Sequence, residues 1–189
     1  MDTQIRALFA GNIVFIICIV FYLLWWGIAF RPPGGYHGSA GTAVLLVCAL
    51  IAGLAGTIMS VRALMHPAGE AVNRAPHGWM IGLAGVVIYA VLLLVSSRLL
   101  HRQVTTELLL IVAWGVLQIC IICAAYRAGG IGRGSALALA VLILAMAVIS
   151  LLCYLKYYGL PERTGYYVGM VPLILALIGM ACVNAVMAH

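Results

Sequence analysis

Residues 105–125, TTELLLIVAWGVLQICIICAA, form an apolar run that carries a single charged side chain, Glu107. A helix needs about 20 apolar residues to cross roughly 30 Å of hydrocarbon, so this run predicts a transmembrane helix. The whole chain agrees: 66% of its 189 residues are hydrophobic, 7% are charged, and the mean hydropathy is +1.21. Because soluble domains carry about 25% charged residues, this composition excludes an ordinary soluble domain, a disordered chain and a collagen.

Six stretches reach the spanning length, and they predict an all-α integral membrane protein with six transmembrane helices at 5–30, 41–61, 78–100, 105–125, 135–157 and 165–188. The connections are short and rich in Gly and Pro, so neighbouring helices are expected to run antiparallel. No connection is long enough for a soluble domain, and we therefore expect a single transmembrane domain over 1–189. Paired Trp25 and Trp26 before Arg31 are typical of a membrane interface, which favours a retained first span over a cleaved signal peptide.

The basic residues do not indicate an orientation in the membrane. If the chain has six spans, five basic residues fall on the side of the N-terminus and five on the opposite side. Cytoplasmic loops normally carry an excess of Lys and Arg, and neither side shows one. The first group is Arg6, Arg62, Arg74, Arg127 and Arg133, and the second is Arg31, Arg98, Arg102, Lys156 and Arg163.

An internal repeat accounts for this balance. A shift of 96 residues places Phe30-Arg31 on Tyr126-Arg127 and 38–40, Gly-Ser-Ala, on the same tripeptide at 134–136. The halves 1–100 and 101–189 then hold three spans each, and an odd number of spans inverts the second half relative to the first. The sequence thus suggests a 3+3 inverted repeat, which channels and alternating-access carriers use to face both sides of a membrane equivalently.

Polar side chains follow one face of the fourth predicted span. Glu107, Trp114 and Gln118 are spaced by seven and four residues, which places them within roughly 20° of one line along a helix. Lipid penalises such a face, so we expect it to point into the bundle or into a water-filled path. Packing is the open alternative, because Gln118 can bond a neighbouring helix and Glu107 suits a positive first turn. Tyr89, the tyrosine nearest mid-membrane, is a candidate partner of Gln118.

Four arginines complete the predicted substrate pathway. Arg98 and Arg102 share a loop with Glu107, and the repeat superposes Arg31 on Arg127 at opposite mouths of the bundle. Such a pair suits an anionic solute. Anchoring at lipid headgroups is the alternative explanation for all four.

Packing motifs are also present. Gly165-x-x-x-Gly169 and the small residues at 52, 53, 55 and 56 allow helices to approach closely. Pro172 lies inside the sixth predicted span, where it removes a backbone hydrogen bond and is expected to bend or break the helix.

Chemistry-bearing motifs are few. Cys120 and Cys123 form a C-x-x-C, but a membrane thiol oxidoreductase also needs a cysteine pair in a loop, so all six cysteines are interpreted as packing residues. The chain has only four acids, no hydrolase or nucleotide-binding motif and no run of basic residues, so we expect no enzyme, no metal and no nucleic-acid partner. An interfacial haem between His66 and His77, or between His37 and His101, remains an alternative.

These patterns predict a small multi-pass transport protein, a channel or carrier for a small solute, with an anion among the candidates and no cofactor. The alternative is a non-catalytic membrane subunit or anchor of a larger complex, associated with haem or quinone. Expected partners are the lipid bilayer, a small-molecule or ion substrate and further copies of the chain, in a bacterial cytoplasmic membrane. In size and span number alone, the chain resembles small solute channels and the substrate-capturing subunits of vitamin transporters.

Overall fold

The computed structural model describes residues 3–33, 36–65, 78–94, 106–157 and 159–188. Within these ranges the chain is entirely helical, as the sequence predicts. The helices are α1 Thr3–Ala29, α2 Ala40–Met65, α3 Gly78–Leu94, α4 Thr106–Arg127, α5 Arg133–Tyr157 and α6 Glu162–Ala188.

Five of these helices, all except α3, are long and apolar enough to cross a membrane. The third helix has 17 residues, short of the roughly 20 that a span needs, and its most apolar part is Leu83–Leu92. The predicted third span, 78–100, extends past the end of α3 at Leu94. Residues 95–105 lie outside the described ranges. The chain is therefore an integral multi-pass membrane protein, and a sixth span remains a prediction.

The distribution of side chains is that of a protein surrounded by lipid. Large apolar side chains point outward, with Leu50 and Leu54 of α2 exposed by 64% and 65% and Leu144 of α5 by 57%. Polar side chains point inward, and those that are buried are Asn12, Thr42, Ser60, Gln118, Ser150 and Asn184. Hydrocarbon favours this arrangement because it offers no hydrogen-bond partner to a polar group.

Helix α1 lies at the centre of the contacts, packing most extensively against α2 and also against α6 and α4, while α5 packs on α4 and α6 and α3 packs on α4. We call the end of the bundle where α1 begins the near end. There Gln4 Nε2 donates to the carbonyl of Ala63, 3.0 Å away, near the end of α2. At the far end, where α1 terminates, Trp26 Nε1 donates to the carbonyl of Tyr166 in α6. Both α2 and α6 are therefore antiparallel to α1.

Small residues bring α1 and α2 close together. A Cβ atom on Gly11 would lie 2.5 Å from Ser60 Oγ, and one on Gly56 would lie 3.1 Å from the ring of Phe15. Close approach at Gly56 agrees with the small-residue motif in the second span, and a side chain at either position would require its neighbour to shift.

Helix α6 is continuous through Pro172, so the residue does not break the helix. The missing N–H still has a local effect, since the carbonyl of Val168, four residues earlier, loses its helical donor. Packing against α1 and α5 holds this segment in place on two sides, which offsets the loss of one hydrogen bond.

Candidate functional site

Three buried amide side chains meet in the near half of the bundle, one from each of α1, α4 and α6. Gln118 Nε2 donates to Asn12 Oδ1 at 2.9 Å, and Asn12 Nδ2 donates to Asn184 Oδ1 at 3.1 Å and to Gln118 Oε1 at 3.4 Å. Asn12 and Gln118 have no exposed surface, and Asn184 is 5% exposed. We call these three residues the amide cluster. Their bonds join helices that lie far apart in the sequence.

The amide cluster does not satisfy all of its own polar atoms. Among the described residues, the buried Asn184 Nδ2 has no hydrogen-bond partner, and the same is true of Ser60 Oγ on α2, which lies beside Gly11 of α1. Unpaired polar atoms are costly in a protein interior and are typical of sites that hold water or a ligand. The interior of the near half therefore contains an amide N–H and a hydroxyl group that could donate further hydrogen bonds.

The far half of the bundle contains an open cleft instead of a polar cluster. This inner cavity offers about 90 Å³ to water-sized molecules, whereas one water needs about 10–15 Å³ by the same measure. Helices α1, α4, α5 and α6 all contribute to its wall. The lining residues are Tyr22, Trp26, Leu110, Ile111, Cys153, Tyr154, Tyr157, Val168, Gly169, Pro172 and Leu173.

A wider outer cavity of about 320 Å³ adjoins the inner one at the far end and shares Trp26 and Tyr157 with it. Aromatic rings dominate its wall. The lining residues are Trp26, Phe30, Tyr157, Leu160, Glu162, Gly165 and Tyr166.

The two cavities depend on a close approach between α1 and α6. A Cβ atom on Gly169 would lie 2.6 Å from Trp26 Cζ2 and 3.2 Å from Tyr157 Cε2, so only glycine lets these rings lie flat against α6. Tyr166 Oη donates to the carbonyl of Gly27 at 3.0 Å, reciprocating the bond from Trp26 to the Tyr166 carbonyl. The shared wall is therefore fixed by hydrogen bonds as well as by packing.

Trp114 separates the inner cavity from the amide cluster. On α4 it follows the cavity residue Ile111 by three positions and precedes Gln118 by four, which is about one helical turn each way. Its ring reaches across to α6, where Cζ2 lies 3.1 Å from the position of a Cβ atom on Gly179. Trp114 Nε1 is buried without a hydrogen-bond partner. An open space, an indole ring and a polar cluster thus follow one another between the same helices.

The cavity walls are electronegative. Among the described residues that line either cavity, none is Lys, Arg or His, and Glu162 is the one acidic residue. Val168, whose carbonyl loses its helical N–H donor because residue 172 is proline, is one of the residues that line the inner cavity. Aromatic faces add partial negative charge.

The polar face that the sequence predicts for the fourth span lies partly in the bundle interior, between the inner cavity and the amide cluster. Gln118 is fully buried in the amide cluster and Trp114 packs against the core. Glu107 lies in the first turn of α4, but its side chain is outside the described part of the chain. Tyr89 is half-buried on α3, and the hydrogen bonds of Gln118 go to Asn12 of α1.

Of the predicted pathway arginines, the two that the structure describes, Arg31 and Arg127, do not line the cavities. Arg31 is exposed just beyond the end of α1, at the far end. Arg127 is half-buried at the near end, where its Nε donates to the carbonyl of Cys123 at 3.3 Å. The pair thus lies at opposite ends of the bundle. Arg98 and Arg102 lie outside the described residues.

Two members of the amide cluster, Asn12 and Asn184, were not among the residues that sequence reasoning selected. The criterion that selected Gln118, a polar side chain inside an apolar span, applies equally to both of them. The aromatic cavities carry no such signal, because their residues come from four helices at unrelated spacings.

Cofactor ligands are sparse in the described ranges. All six cysteines, Cys120 and Cys123 included, are free and half-buried within helices. No group of three or more His, Cys, Asp or Glu side chains in this part of the chain could hold a metal ion. Of the four histidines proposed for haem, His37 is exposed, and His66, His77 and His101 fall outside the described residues.

No protein-family model matches the chain, and comparisons with curated proteins and with solved structures find no significant match.

Proposed function

We propose that this chain is a small-solute carrier whose substrate route runs between α1, α4 and α6. One observation carries the proposal: these helices enclose an open cavity at the far end and a closed, buried polar cluster in the near half, with Trp114 between them. Access from one side and closure on the other is the arrangement of a carrier in one of its two states. A channel in its conducting state would be open through both halves.

Buried hydrogen-bond donors along the route could bond a solute in turn as it moves between the helices. Asn184 Nδ2 and Trp114 Nε1 are buried donors without acceptors. A solute or a water that passed them would satisfy both, which would repay part of its own dehydration. The electronegative cavity walls favour a neutral or cationic solute over the anion that the pairing of Arg31 with Arg127 suggests.

The inverted repeat of halves 1–100 and 101–189, with a sixth span completed by α3, is part of the same proposal. Exchange of the halves maps α1 onto α4 and α6 onto α3, and both the α1–α6 and the α4–α3 pairs are in contact. The hairpins α1–α2 and α4–α5 are likewise equivalent, and both are packed pairs. Such symmetry would let the near half open by the motion that closes the far half.

Cysteine accessibility tests the route without knowledge of the substrate. In a variant that retains only Cys153, which lines the inner cavity, a membrane-impermeant thiosulfonate reagent is expected to react from the far-end face of a proteoliposome. In a second variant, Met187→Cys, the reagent is expected to react from the near-end face, because Met187 is buried there and becomes accessible only when that half opens.

A carrier further requires that the two openings exclude each other. A bulky label on Cys153 is therefore expected to slow labelling of Met187→Cys, whereas a channel would show independent labelling. A further variant that retains only Cys18, which packs against Gly53 between α1 and α2, is the control and should stay unlabelled. Failure of Met187→Cys to react from the near-end face would contradict a route through the bundle and favour the anchor function.

A further inference from the structure

We infer that the outer cavity binds an alkylammonium cation, held against aromatic faces with Glu162 at its edge. The inference names the substrate class of the proposed carrier, so as a statement about transport it rests on the proposed function. As a statement about binding it stands on the cavity alone. The two parts can therefore be tested separately.

Four of the seven residues that line the outer cavity are aromatic: Trp26, Phe30, Tyr157 and Tyr166. Their rings converge, since the Trp26 ring centroid lies 4.6 Å from that of Phe30 and 6.1 Å from that of Tyr157. The face of an aromatic ring attracts a cation within about 6 Å of its centroid, and cages of such rings recognise quaternary ammonium groups. Trp26 and Phe30 cover each other's facing sides at this distance, so a cation in this cavity would meet the ring faces that neighbouring rings leave uncovered.

The polar atoms of these rings are already engaged. Trp26 Nε1 donates to the carbonyl of Tyr166, and Tyr166 Oη donates to the carbonyl of Gly27. What these two side chains present to the cavity is therefore ring surface rather than hydrogen-bond donors. An anion would find no partner on them, whereas an ammonium group needs only the ring faces. Both bonds are made within the protein itself, so the fold holds these two rings in place.

The charge at the cavity edge has the matching sign. Glu162, the first residue of α6, is the one carboxylic acid among the seven described residues that line the outer cavity, and none of the seven is Lys, Arg or His. Its neighbour Arg163 is exposed and does not line the cavity. A bare metal ion would need several oxygen ligands, so this set of groups fits an organic cation better.

Two sources carry this chemistry: a free alkylammonium solute, and the choline headgroup of a membrane lipid. Isothermal titration of the full-length protein in a maltoside detergent, with choline and its uncharged carbon analogue 3,3-dimethylbutan-1-ol, tests the shared chemistry. The two probes have the same shape and differ in charge. We expect choline to bind about tenfold more tightly or better, since several ring faces contribute. Equal affinities would overturn the inference, because they would show a merely apolar pocket.

Matched variants identify the cavity. Phe30→Leu keeps an apolar side chain but removes a ring, and we expect it to weaken choline binding about three- to fivefold, whereas Phe30→Tyr should retain it. Glu162→Gln should weaken binding about twofold to threefold, while Arg163→Gln, one residue further along α6, should not weaken it. Unchanged affinity in Phe30→Leu, with an unchanged melting temperature, would overturn the placement of the site.

A second arm separates the two sources. In nanodiscs of phosphatidylcholine, persistence of choline binding indicates a free solute, and its loss indicates that the lipid headgroup occupies the cavity. Uptake of radiolabelled choline into proteoliposomes then tests transport independently. Binding without uptake would contradict the carrier and leave the ammonium site intact, whereas absence of binding would overturn the ammonium site and leave the route open to another solute.

Discussion

The interior of this bundle is filled in two different ways along the same three helices. In the near half, α1, α4 and α6 meet through the amide cluster and a continuous apolar core, with Leu8, Ile121 and Val183 fully buried. In the far half, aromatic rings lie between the same helices and the two cavities remain beside them. The same helices are therefore closed where amide and aliphatic side chains fill the space between them, and open where bulky aromatic rings lie there. The size of the side chains, and not the number of helices, makes this difference.

The comparison also separates two uses of polarity in a membrane. The amide cluster places hydrogen-bonding groups where no solvent reaches, and it gains from joining helices that are distant in the sequence. In the far half, the polar atoms of Trp26 and Tyr166 donate hydrogen bonds to backbone carbonyls, and the rings line the cavities. In the near half, side-chain hydrogen bonds join the helices, and in the far half aromatic residues line the two cavities.

The largest expected effect comes from breaking the near half. Asn12→Leu removes all three bonds of the amide cluster and leaves Gln118 buried without a partner, which should lower the free energy of unfolding by about 2–3 kcal/mol. Reversible unfolding by SDS titration measures this. The adjacent substitution Ile13→Leu, on the outward face, should change stability little, and an equal loss in both variants would contradict a specific role for the cluster.

A smaller effect is expected from filling the far half. Gly169→Ala places a methyl group 2.6 Å from the Trp26 ring, and we expect a loss of about 1–2 kcal/mol together with weaker choline binding. Gly165→Ala is the matched control for stability, since its Cβ atom would meet its nearest neighbour, the Tyr157 carbonyl oxygen, at an ordinary 3.7 Å. Equal stability of the two variants would show that Trp26 yields freely and that the cavity wall is not fixed.

The smallest effect sharpens the account of the amide cluster. Asn184→Leu removes one hydrogen bond, the one from Asn12, and an N–H group that has no partner, so we expect a loss of only about 0.6 kcal/mol. Ala185→Leu, the next and exposed position, serves as the control in the same SDS titration. A loss as large as that of Asn12→Leu would indicate that Asn184 Nδ2 is bonded in the membrane, to water or to a solute.

The asymmetry of the two halves bears on the proposed repeat. A shift of 96 residues pairs Asn12 with Leu108 and Tyr22 with Gln118, so the repeat does not relate the amide cluster to a second copy of itself. An inverted repeat would relate the near half of the bundle to the far half, and the side chains in those two places differ: amides in the near half and aromatic rings in the far half.

Much of the fold was predictable because the bilayer imposes a length and a polarity on every span. The helices at 5–30, 41–61, 105–125, 135–157 and 165–188 correspond to α1, α2, α4, α5 and α6 with ends that differ by a few residues. The polar face through Trp114 and Gln118 was predictable for the same reason. Pro172 does not interrupt α6, and a bend of the helix at this residue stays a prediction.

What the sequence determined by itself is the number of long apolar segments, their helical state and the rarity of polar groups within them, since hydrocarbon acts on each segment separately. What only the tertiary structure decided is which polar groups meet and where space remains. Asn12, Gln118 and Asn184 come together across 172 positions of the chain, and Gly169 admits Trp26 from another helix. Contacts of this kind depend on the rotation and approach of whole helices, which no single segment encodes.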